Sequence, residues 1–382
     1  MQPENEKNNV MIKKIVLPLF VIALMFACSS DNDNSDNPNQ DQFNRQAMLI
    51  NWADNIIIPA LQDVSLRLDH MVSDKDEFLA TPNQNTLNDL RTSWLEAYKT
   101  WQYVEMFNIG RAEQINYAFQ MNIYPTNVSD IQNNITSGNY DLTNVNNNDA
   151  VGFPAVDYMI YGIAANDTEI LNAYSSAANA DANKQYLSDL IEQMKDLTTS
   201  VLNDWTTNYR DEFVAGTGNT ATSSTNKLTN DYIFYYEKGL RANKIGIPAG
   251  VFSSTPLNEK VEGFYNKQVS KVLAMNALDA VQDFFNGKHY SNNQTSESFK
   301  SYLDFLNTIS QGEDLASLIN NQFDEARTKI QALDNNFSSQ VQTDNTKMTE
   351  AYDALQAAVV LLKVDMIQAM NISVDFVDAD GD

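Results

Sequence analysis

The segment Gly152-Phe-Pro-Ala-Val-Asp-Tyr-Met-Ile-Tyr-Gly162, called the motif segment below, places one carboxylate, Asp157, in a short apolar run between two glycines. Pro154 suits the first turn of a helix, where its missing N–H removes no hydrogen bond, and Gly162 can end the helix in a left-handed conformation. The pattern predicts a helix of about two turns. Because so short a helix is unstable alone, its neighbours must hold it in place. A functional element and a plain core helix both fit this pattern.

The helix predicted from residue 85 to residue 108 has an unusual face. Charged residues stand at its ends and aromatic residues between them, at helical spacing: Arg91, Trp94, Tyr98, Trp101 and Glu105. A carboxylate buried beside tryptophans needs a cation, a hydrogen-bond donor or a proton. Glu105 is therefore either a ligand-binding group or one partner of an internal salt bridge.

Helical spacing of apolar residues continues through the rest of the chain. The further predicted helices are 43–71 with a kink at Pro59, 128–135, 181–213, 228–243, 257–286, 297–310, 316–335 and 347–371. Few segments alternate as strands do, so the sequence predicts an all-α fold. Arg241 and Lys244 lie near the end of the helix 228–243, where basic side chains complement the helix dipole. They are also candidate counter-charges for a buried carboxylate.

Two features divide the chain into halves. Residues 216–225 form a polar linker rich in Gly, Ser and Thr, and Gly246-Ile-Pro-Ala249 repeats the Gly-x-Pro-Ala pattern of the motif segment. We therefore expect two similar helical domains, residues 41–217 and 218–382, related by an internal duplication.

The charge of the chain excludes some partners. The 382 residues include 25 Lys and Arg against 50 Asp and Glu, a net charge of −25. Nucleic acid and anionic membrane surfaces are therefore poor partners, whereas cations are compatible ones. Solubility of an exported protein would explain the same acidity.

The N-terminal segment predicts export. A basic and apolar stretch from Met11 to Ala27 precedes Cys28, the single cysteine, as in a secretory signal, and no internal disulfide can form. The stretch resembles a bacterial lipoprotein signal, which implies that residues 1–27 are removed and Cys28 carries the lipid. Residues 28–40 read as a flexible acidic tether, similar to signals that direct lipoproteins to the outer face of the outer membrane. We expect an outer-membrane lipoprotein facing the periplasm or the cell surface, translated from Met1 or Met11.

The residues that could carry chemistry are oxygen donors. Only two histidines occur, His70 and His289, and neither a His-Glu-x-x-His motif nor a glycine-rich phosphate loop is present, which argues against a zinc site. The carboxylates Glu105, Asp157 and Glu262 suit a hard cation such as ferric iron or calcium. The closing residues Asp375–Asp382 resemble half of a calcium loop but lack its glutamate, and we expect a solvated acidic tail.

Three segments resemble the imelysin family, once classed as M75 metallopeptidases. They are Trp94-x-x-x-Tyr98-x-x-Trp101-x-x-x-Glu105, the motif segment in the position of the family's Gly-x-His-x-x-Glu motif, and Lys244-Ile-Gly-Ile-Pro-Ala-Gly250 followed by Val261-Glu262-Gly-Phe-Tyr265. The resemblance implies two four-helix-bundle domains with a site between them. It also implies a periplasmic or surface protein associated with components of iron uptake. Pro154 replaces the family's histidine and Asp157 its glutamate, and proline can neither ligate a metal nor transfer a proton.

These observations favour a non-catalytic, lipid-anchored binding protein for iron or an iron-bearing ligand. The expected pocket residues are Trp94, Tyr98, Trp101, Glu105, Pro154, Asp157, Tyr158, Arg241, Lys244, Glu262 and Tyr265. Glu105, Asp157 and Glu262 are the expected ligands if iron or another hard cation binds directly. Three alternatives remain open: a metal-dependent peptidase, a glycan-binding surface lipoprotein and a protein-interaction module without a small-molecule site.

Overall fold

Long helices make up most of the chain, as the apolar spacing predicts. The computed structural model describes residues 42–310 and 314–374. The expected signal and tether, with Cys28, and the acidic tail lie outside the described residues. Within these residues no strand occurs, and one isolated bridge joins Lys288 and Thr295. The all-α prediction is confirmed.

The longer α-helices follow the predicted order. They are Arg45–Ile50, Ile58–Ala80, Gln84–Trp101, Val128–Ser137, Ala180–Asp204, Arg210–Ala215, Ser224–Phe234, Ser270–Phe285, Phe299–Ser310, Leu315–Gln331, Phe337–Thr343 and Asn345–Val360. Shorter helical turns occur at Arg111–Gln114, Tyr117–Met121, Val145–Ala150, Gly152–Asp157, Asp167–Ala173, Ile247–Ala249 and Ile367–Ala369. In the described residues no helix is both long and apolar enough to cross a membrane.

Several helices widen to π-helical geometry, in which backbone bonds run from residue i to i+5. The widened stretches are Asn51–Ile57, Tyr158–Gly162, Trp205–Tyr209, Tyr235–Gly246 and Leu361–Met366. The first of them lies just before Pro59, where the sequence predicts a kink. The 12-residue stretch Tyr235–Gly246, called the π segment below, carries several of the expected site residues.

The helices pack in two groups. In the first half, Ile58–Ala80 packs against Gln84–Trp101 and Ala180–Asp204. In the second half, Leu315–Gln331 and the π segment both pack against Asn345–Val360. The buried apolar side chains of both groups form one continuous cluster. The division at residue 217 and the internal duplication stay predictions.

Two predicted helices end earlier or begin later than expected. The helix from residue 85 ends at Trp101, and tighter bonds such as Val104 N–H to Trp101 O turn the chain at once, so Glu105 lies beyond the helix. The helix expected over 257–286 begins only at Ser270, because Gly263 and Lys267 adopt positive φ, a conformation incompatible with a right-handed helix. Glu262 and Tyr265 therefore lie in a loop.

The motif segment is helical for about two turns, an α-turn at Gly152–Asp157 followed by the π turn Tyr158–Gly162. The left-handed glycine is at its start and not, as the sequence suggested, at its end. Gly152 has φ +74°, and a Cβ there would lie 2.2 Å from the carbonyl oxygen of Met121. Gly162 is required for space instead, since a Cβ would lie 2.2 Å from the Tyr265 ring.

Candidate functional site

The aromatic face of the helix Gln84–Trp101 packs on the motif segment. The indole N–H of Trp94 donates to the Phe153 carbonyl at 3.2 Å, and the Tyr98 ring stacks on the Phe153 ring with centroids 4.4 Å apart. Trp101 packs edge-on against Tyr117. Trp94, Tyr98 and Trp101 are fully buried. These aromatic residues are core that fixes the motif segment in position, and their polar atoms point to the site.

The guanidinium of Arg91 holds the far end of the motif segment. It donates to the Ile160 carbonyl at 2.8 and 3.0 Å and to both carboxylate oxygens of Asp167 at 2.8 and 3.0 Å. It also lies 4.2 Å from the centroid of the Tyr161 ring, within the range of a cation–π contact. Arg91 thereby joins the first turn of the helix Asp167–Ala173 to the π turn.

Four side chains from separate parts of the chain meet in what we call the polar cluster: Glu105, Asn122, Lys244 and Glu262. The Asn122 amide donates to Glu105 Oε1 at 2.8 Å and to Glu262 Oε1 at 2.9 Å. Lys244 Nζ donates to Glu262 Oε2 at 2.6 Å and lies 3.8 Å from Glu105 Oε2. The cluster therefore joins the turn after the tryptophan-bearing helix, the loop before residue 128, the π segment and the loop before Ser270.

Two neighbours complete the cluster. The Gln102 amide donates to Glu262 Oε1 at 3.1 Å, and the Tyr98 hydroxyl donates to Asn122 Oδ1 at 2.5 Å. Glu262 thus accepts three hydrogen bonds, which satisfy a carboxylate that is only 2% exposed. Glu105 Oε2 has no hydrogen bond of good geometry among residues 42–310 and 314–374, and the Trp101 indole N–H and the Tyr235 hydroxyl lie near this carboxylate.

Burial dominates the electrostatics of the cluster. It raises the pKa of Glu105, against the effect of the Lys244 ammonium, and the Glu262 carboxylate raises that pKa further. Burial likewise raises the pKa values of the nearby Tyr124 and Tyr235 hydroxyls well above their usual range, with Glu105 and Glu262 contributing. These tyrosines are therefore neutral donors at neutral pH.

Asp157 lies apart from the polar cluster. Its carboxylate accepts the backbone N–H groups of Tyr265 at 2.9 Å and Asn266 at 3.0 Å, which tie the loop before Ser270 to the motif segment. Burial raises its pKa to about 7, although the two N–H donors act in the opposite direction. A carboxylate whose two oxygens each accept a backbone bond has a structural role.

Pro154 and Asp157 line a small second cavity of about 210 Å³, together with Tyr124 and Tyr265. The neighbouring Tyr158 hydroxyl accepts a hydrogen bond from the Gln132 amide at 2.8 Å, and its ring meets the Tyr265 ring edge-on at 5.1 Å. Pro154 and Asp157 are thus close together, as expected, but the polar cluster lies in a different place.

Arg241 does not face the carboxylates of the cluster. Its guanidinium donates to Tyr352 at 2.9 Å, contacts Gln356 and pairs with the buried Glu237. Lys244, three residues on, is the counter-charge of Glu105 and Glu262. The sequence left these two cations as alternatives, and the geometry of the π segment assigns the role to Lys244.

A cavity of about 550 Å³ reaches Glu105 and Asn122 of the polar cluster. We call it the main cavity. Its walls are mainly apolar, and its lining includes Phe119, Ile123, Tyr124, Pro125, Phe234, Tyr235, Ile247, Phe252 and Leu257, with Asp231, Lys238 and Lys260 among the charged groups. Of the residues expected at a pocket, only Glu105 lines this cavity.

Sequence reasoning missed several residues of the site. Asn122 and Tyr124 lie in an Asn-rich stretch that reads as loop, and nothing distinguishes Asn122 from the other asparagines there. Gln102 stands one residue beyond Trp101, off the face that the spacing singled out. Tyr235, Lys238 and Lys260 line the cavity but are not among the pocket residues expected from the sequence.

The three expected metal ligands do not come together. Within residues 42–310 and 314–374, no group of three or more His, Cys, Asp and Glu side chains could hold a metal ion. Glu105 and Glu262 share an ammonium and an amide donor, and both oxygens of Asp157 accept backbone bonds. A bare cation would have to displace Lys244, so these residues do not fit a direct iron site.

This chain is similar to known proteins in sequence and in fold. The family model described as Peptidase_M75, Imelysin, matches residues 57–363. An imelysin-like protein from Psychrobacter arcticum 273-4 superposes with a TM-score of 0.67 at 17% identity, covering 87% of this chain and 97% of that one. A protein from Parabacteroides distasonis ATCC 8503, described as a putative iron-regulated protein A precursor, gives 0.66 at 17% identity, covering 84% and 95%. No curated protein matches the sequence.

Proposed function

The chain belongs to the imelysin family, and from that premise we propose that it is a non-catalytic binding protein that holds an iron-bearing organic ligand in the main cavity. The observation that carries the proposal is the cavity itself. Its volume of about 550 Å³ lies within the range of small-molecule sites, and its walls are aromatic and aliphatic with a few polar groups. Such a site suits an organic molecule better than a bare ion.

The polar cluster favours a ligand in which a chelator already coordinates the iron. Lys244 neutralises charge that a cation would otherwise neutralise, and Asn122 donates to both glutamates. A ferric complex whose chelator fills the coordination sphere needs no further protein carboxylate. The relative from Parabacteroides distasonis, described as a putative iron-regulated protein, favours iron as the cargo.

A peptidase is the less favoured alternative. The position of the family histidine holds Pro154, which has no proton to transfer. Asp157 accepts two backbone hydrogen bonds at the wall of the second cavity, and so it is not free to act on a water molecule. The protein-interaction alternative leaves the main cavity unexplained, and a glycan would meet walls that are mainly apolar.

We also propose that the protein is anchored in the outer membrane through Cys28, on the evidence of the sequence alone. The Parabacteroides distasonis relative is described as a precursor, which fits export. Replacing Cys28 by Ser should release the full-length protein from the membrane fraction and abolish labelling by a radioactive fatty acid. Labelling that persists in the Cys28→Ser variant would contradict the anchor.

Binding is tested with residues 29–382, which contain the whole compact unit from Phe43 onward. Haemin, a ferric catecholate complex, a ferric hydroxamate complex and free ferric ion would each be titrated by calorimetry and tryptophan fluorescence. We expect one of the complexes to bind with one-to-one stoichiometry, and free ferric ion to bind no better to the wild type than to Glu105→Gln. Circular dichroism checks the fold of each variant.

A variant that fills the main cavity tests whether the ligand binds there. Leu257 lines the main cavity, and Leu257→Trp should weaken binding of the complex by about tenfold or more, a loss of about 1.4 kcal/mol. Leu318 is 41% exposed and does not line the cavity, so Leu318→Trp is the matched control. Failure of every complex to bind would overturn the proposal. Tight binding of free ferric ion that Glu105→Gln abolishes would instead support a direct metal site.

A further inference from the structure

We propose that the main cavity selects an organic anion with an aromatic or polycyclic body, and that Lys238 and Lys260 recognise its negative group. The inference rests on the proposed function for the main cavity being a binding site. It adds the charge and the shape of the ligand, which neither the family nor the relatives assign.

The two lysines of the cavity have no counter-charge in the part of the chain that the structure describes. Neither Lys238 nor Lys260 forms an ion pair or a side-chain hydrogen bond with any residue in 42–310 or 314–374, although both line the cavity. In a chain of net charge −25, carboxylates are abundant and most other lysines of the described part do have such a partner. Two unpaired ammonium groups at one apolar cavity are a recognition feature for an anion.

Tyr235 also lines the cavity, and its side chain is 6% exposed. Burial raises the pKa of its hydroxyl well above its usual range and the nearby Glu105 carboxylate raises it further, so the hydroxyl is a neutral O–H group beside Glu105.

Two carboxylates also line the cavity, and they define where the anion cannot lie. Glu105 accepts a hydrogen bond from the Asn122 amide, and the Lys244 ammonium, 3.8 Å from Glu105 Oε2, offsets its charge. Asp231 is a single carboxylate against two ammonium groups. The negative group of the ligand is therefore expected at the lysines, away from Glu105.

The apolar part of the ligand has its own surface. Phe119, Phe234 and Phe252 line the cavity although they are 54%, 40% and 38% exposed. Three phenylalanine rings at one cavity form an aromatic rim on which a flat ligand can pack. Aromatic walls beside a cationic edge fit a flat anion whose rings stack and whose oxygens accept hydrogen bonds from ammonium groups.

Charge selection is tested with two fluorescent probes that share an aromatic skeleton. They are 1-anilinonaphthalene-8-sulfonate, an anion, and N-phenyl-1-naphthylamine, which is neutral. We expect residues 29–382 to bind the sulfonate about tenfold more tightly than the neutral probe. The double variant Lys238→Gln/Lys260→Gln should lose this preference while retaining the neutral probe.

The matched control removes the same charge elsewhere. Lys184 and Lys227 also lack an ion pair in the described part of the chain and do not line the main cavity. Lys184→Gln/Lys227→Gln should therefore keep the wild-type preference. Equal binding of the two probes, binding of neither, or an equal loss in the control variant would each overturn the inference.

The charge-selection test and the iron-binding test can fail independently of each other. If no iron complex binds but the sulfonate preference is present and depends on the two lysines, the anion site stands and iron is not its cargo. If haemin and the ferric catecholate bind no better than an uncharged ferric complex, iron binding stands and the charge selection is wrong.

Discussion

Lys244 Nζ lies 2.6 Å from Glu262 Oε2, and each of the two side chains is only 2% exposed. The pair links the π segment to the loop before Ser270. Two opposite charges removed from water hold each other strongly, but each depends on the other, since a buried charge without a partner is costly. The pair therefore stabilises the contact between the π segment and this loop, next to the main cavity.

Replacing Lys244 should destabilise the fold. In Lys244→Met, Glu262 loses its cation and Glu105 its nearest positive group, so we expect the free energy of unfolding to fall by about 3–5 kcal/mol. Urea denaturation at pH 7 measures it. Lys99→Met is the control, because Lys99 and Glu96 form a partly exposed pair worth about 0–1 kcal/mol. Equal losses in the two variants would contradict the buried role of Lys244.

The stability of the protein should depend on the protonation of Asp157. Its pKa of about 7 in the folded state lies above the ordinary value of 3.8, so the folded chain keeps a proton that the unfolded chain releases. Folding then takes up a proton between these values, and the contribution of Asp157 to stability falls as pH rises. From pH 5 to pH 8 the loss is about 2–3 kcal/mol.

The measurement compares the wild type with Asp157→Asn by urea denaturation at several pH values. The asparagine does not titrate, so the wild type should lose stability relative to the variant between pH 5 and pH 8. Parallel curves for the two proteins would show that Asp157 is ionised in the folded state throughout this range.

Gly152 should tolerate no side chain. An alanine there must adopt a positive φ and place its Cβ against the carbonyl of Met121, so Gly152→Ala should cost about 2–5 kcal/mol. Gly218 provides the control, since a Cβ there would lie 3.7 Å from its nearest neighbour and its φ is not positive. Gly218→Ala should change the thermal unfolding free energy by less than about 0.5 kcal/mol. A mild effect at Gly152 would mean that the backbone near Met121 can move aside.

Arg91→Lys tests the attachment of the motif segment. Lysine cannot reproduce a fork that donates to both the Ile160 carbonyl and Asp167, and we expect a loss of about 1–3 kcal/mol. Arg67 forms a single bond with Asp63 one helical turn away, so Arg67→Lys should be nearly neutral. Chemical denaturation of both variants gives the comparison. Similar small effects would show that the cation alone, and not its geometry, is needed.

The sequence was informative where local rules decide the structure. Apolar spacing predicted the long helices and the all-α fold. These features depend on periodicity and on residues close together in the chain. The loop at residues 257–269 was missed because Glu262 and Tyr265 have helical spacing, whereas Gly263 and Lys267 turn the backbone to positive φ.

The candidate site could be predicted only in part, because its contacts join distant residues. Glu105 and Glu262 were both singled out, but nothing local shows that one ammonium lies between them. Asn122 has no pattern around it that distinguishes it from a loop residue. The choice between Arg241 and Lys244 depends on the rotation of a π-helix, and a spacing of three or four residues describes only an α-helix.

Because of its π geometry, the π segment must keep its number of residues as well as their identity. Deleting one residue from Tyr235–Gly246 without a change in its winding would rotate everything beyond the deletion by about a quarter of a turn. Lys244 would then turn away from Glu262, with every side chain still present. Single-codon insertions and deletions should therefore be tolerated in the linker 216–223 but not here.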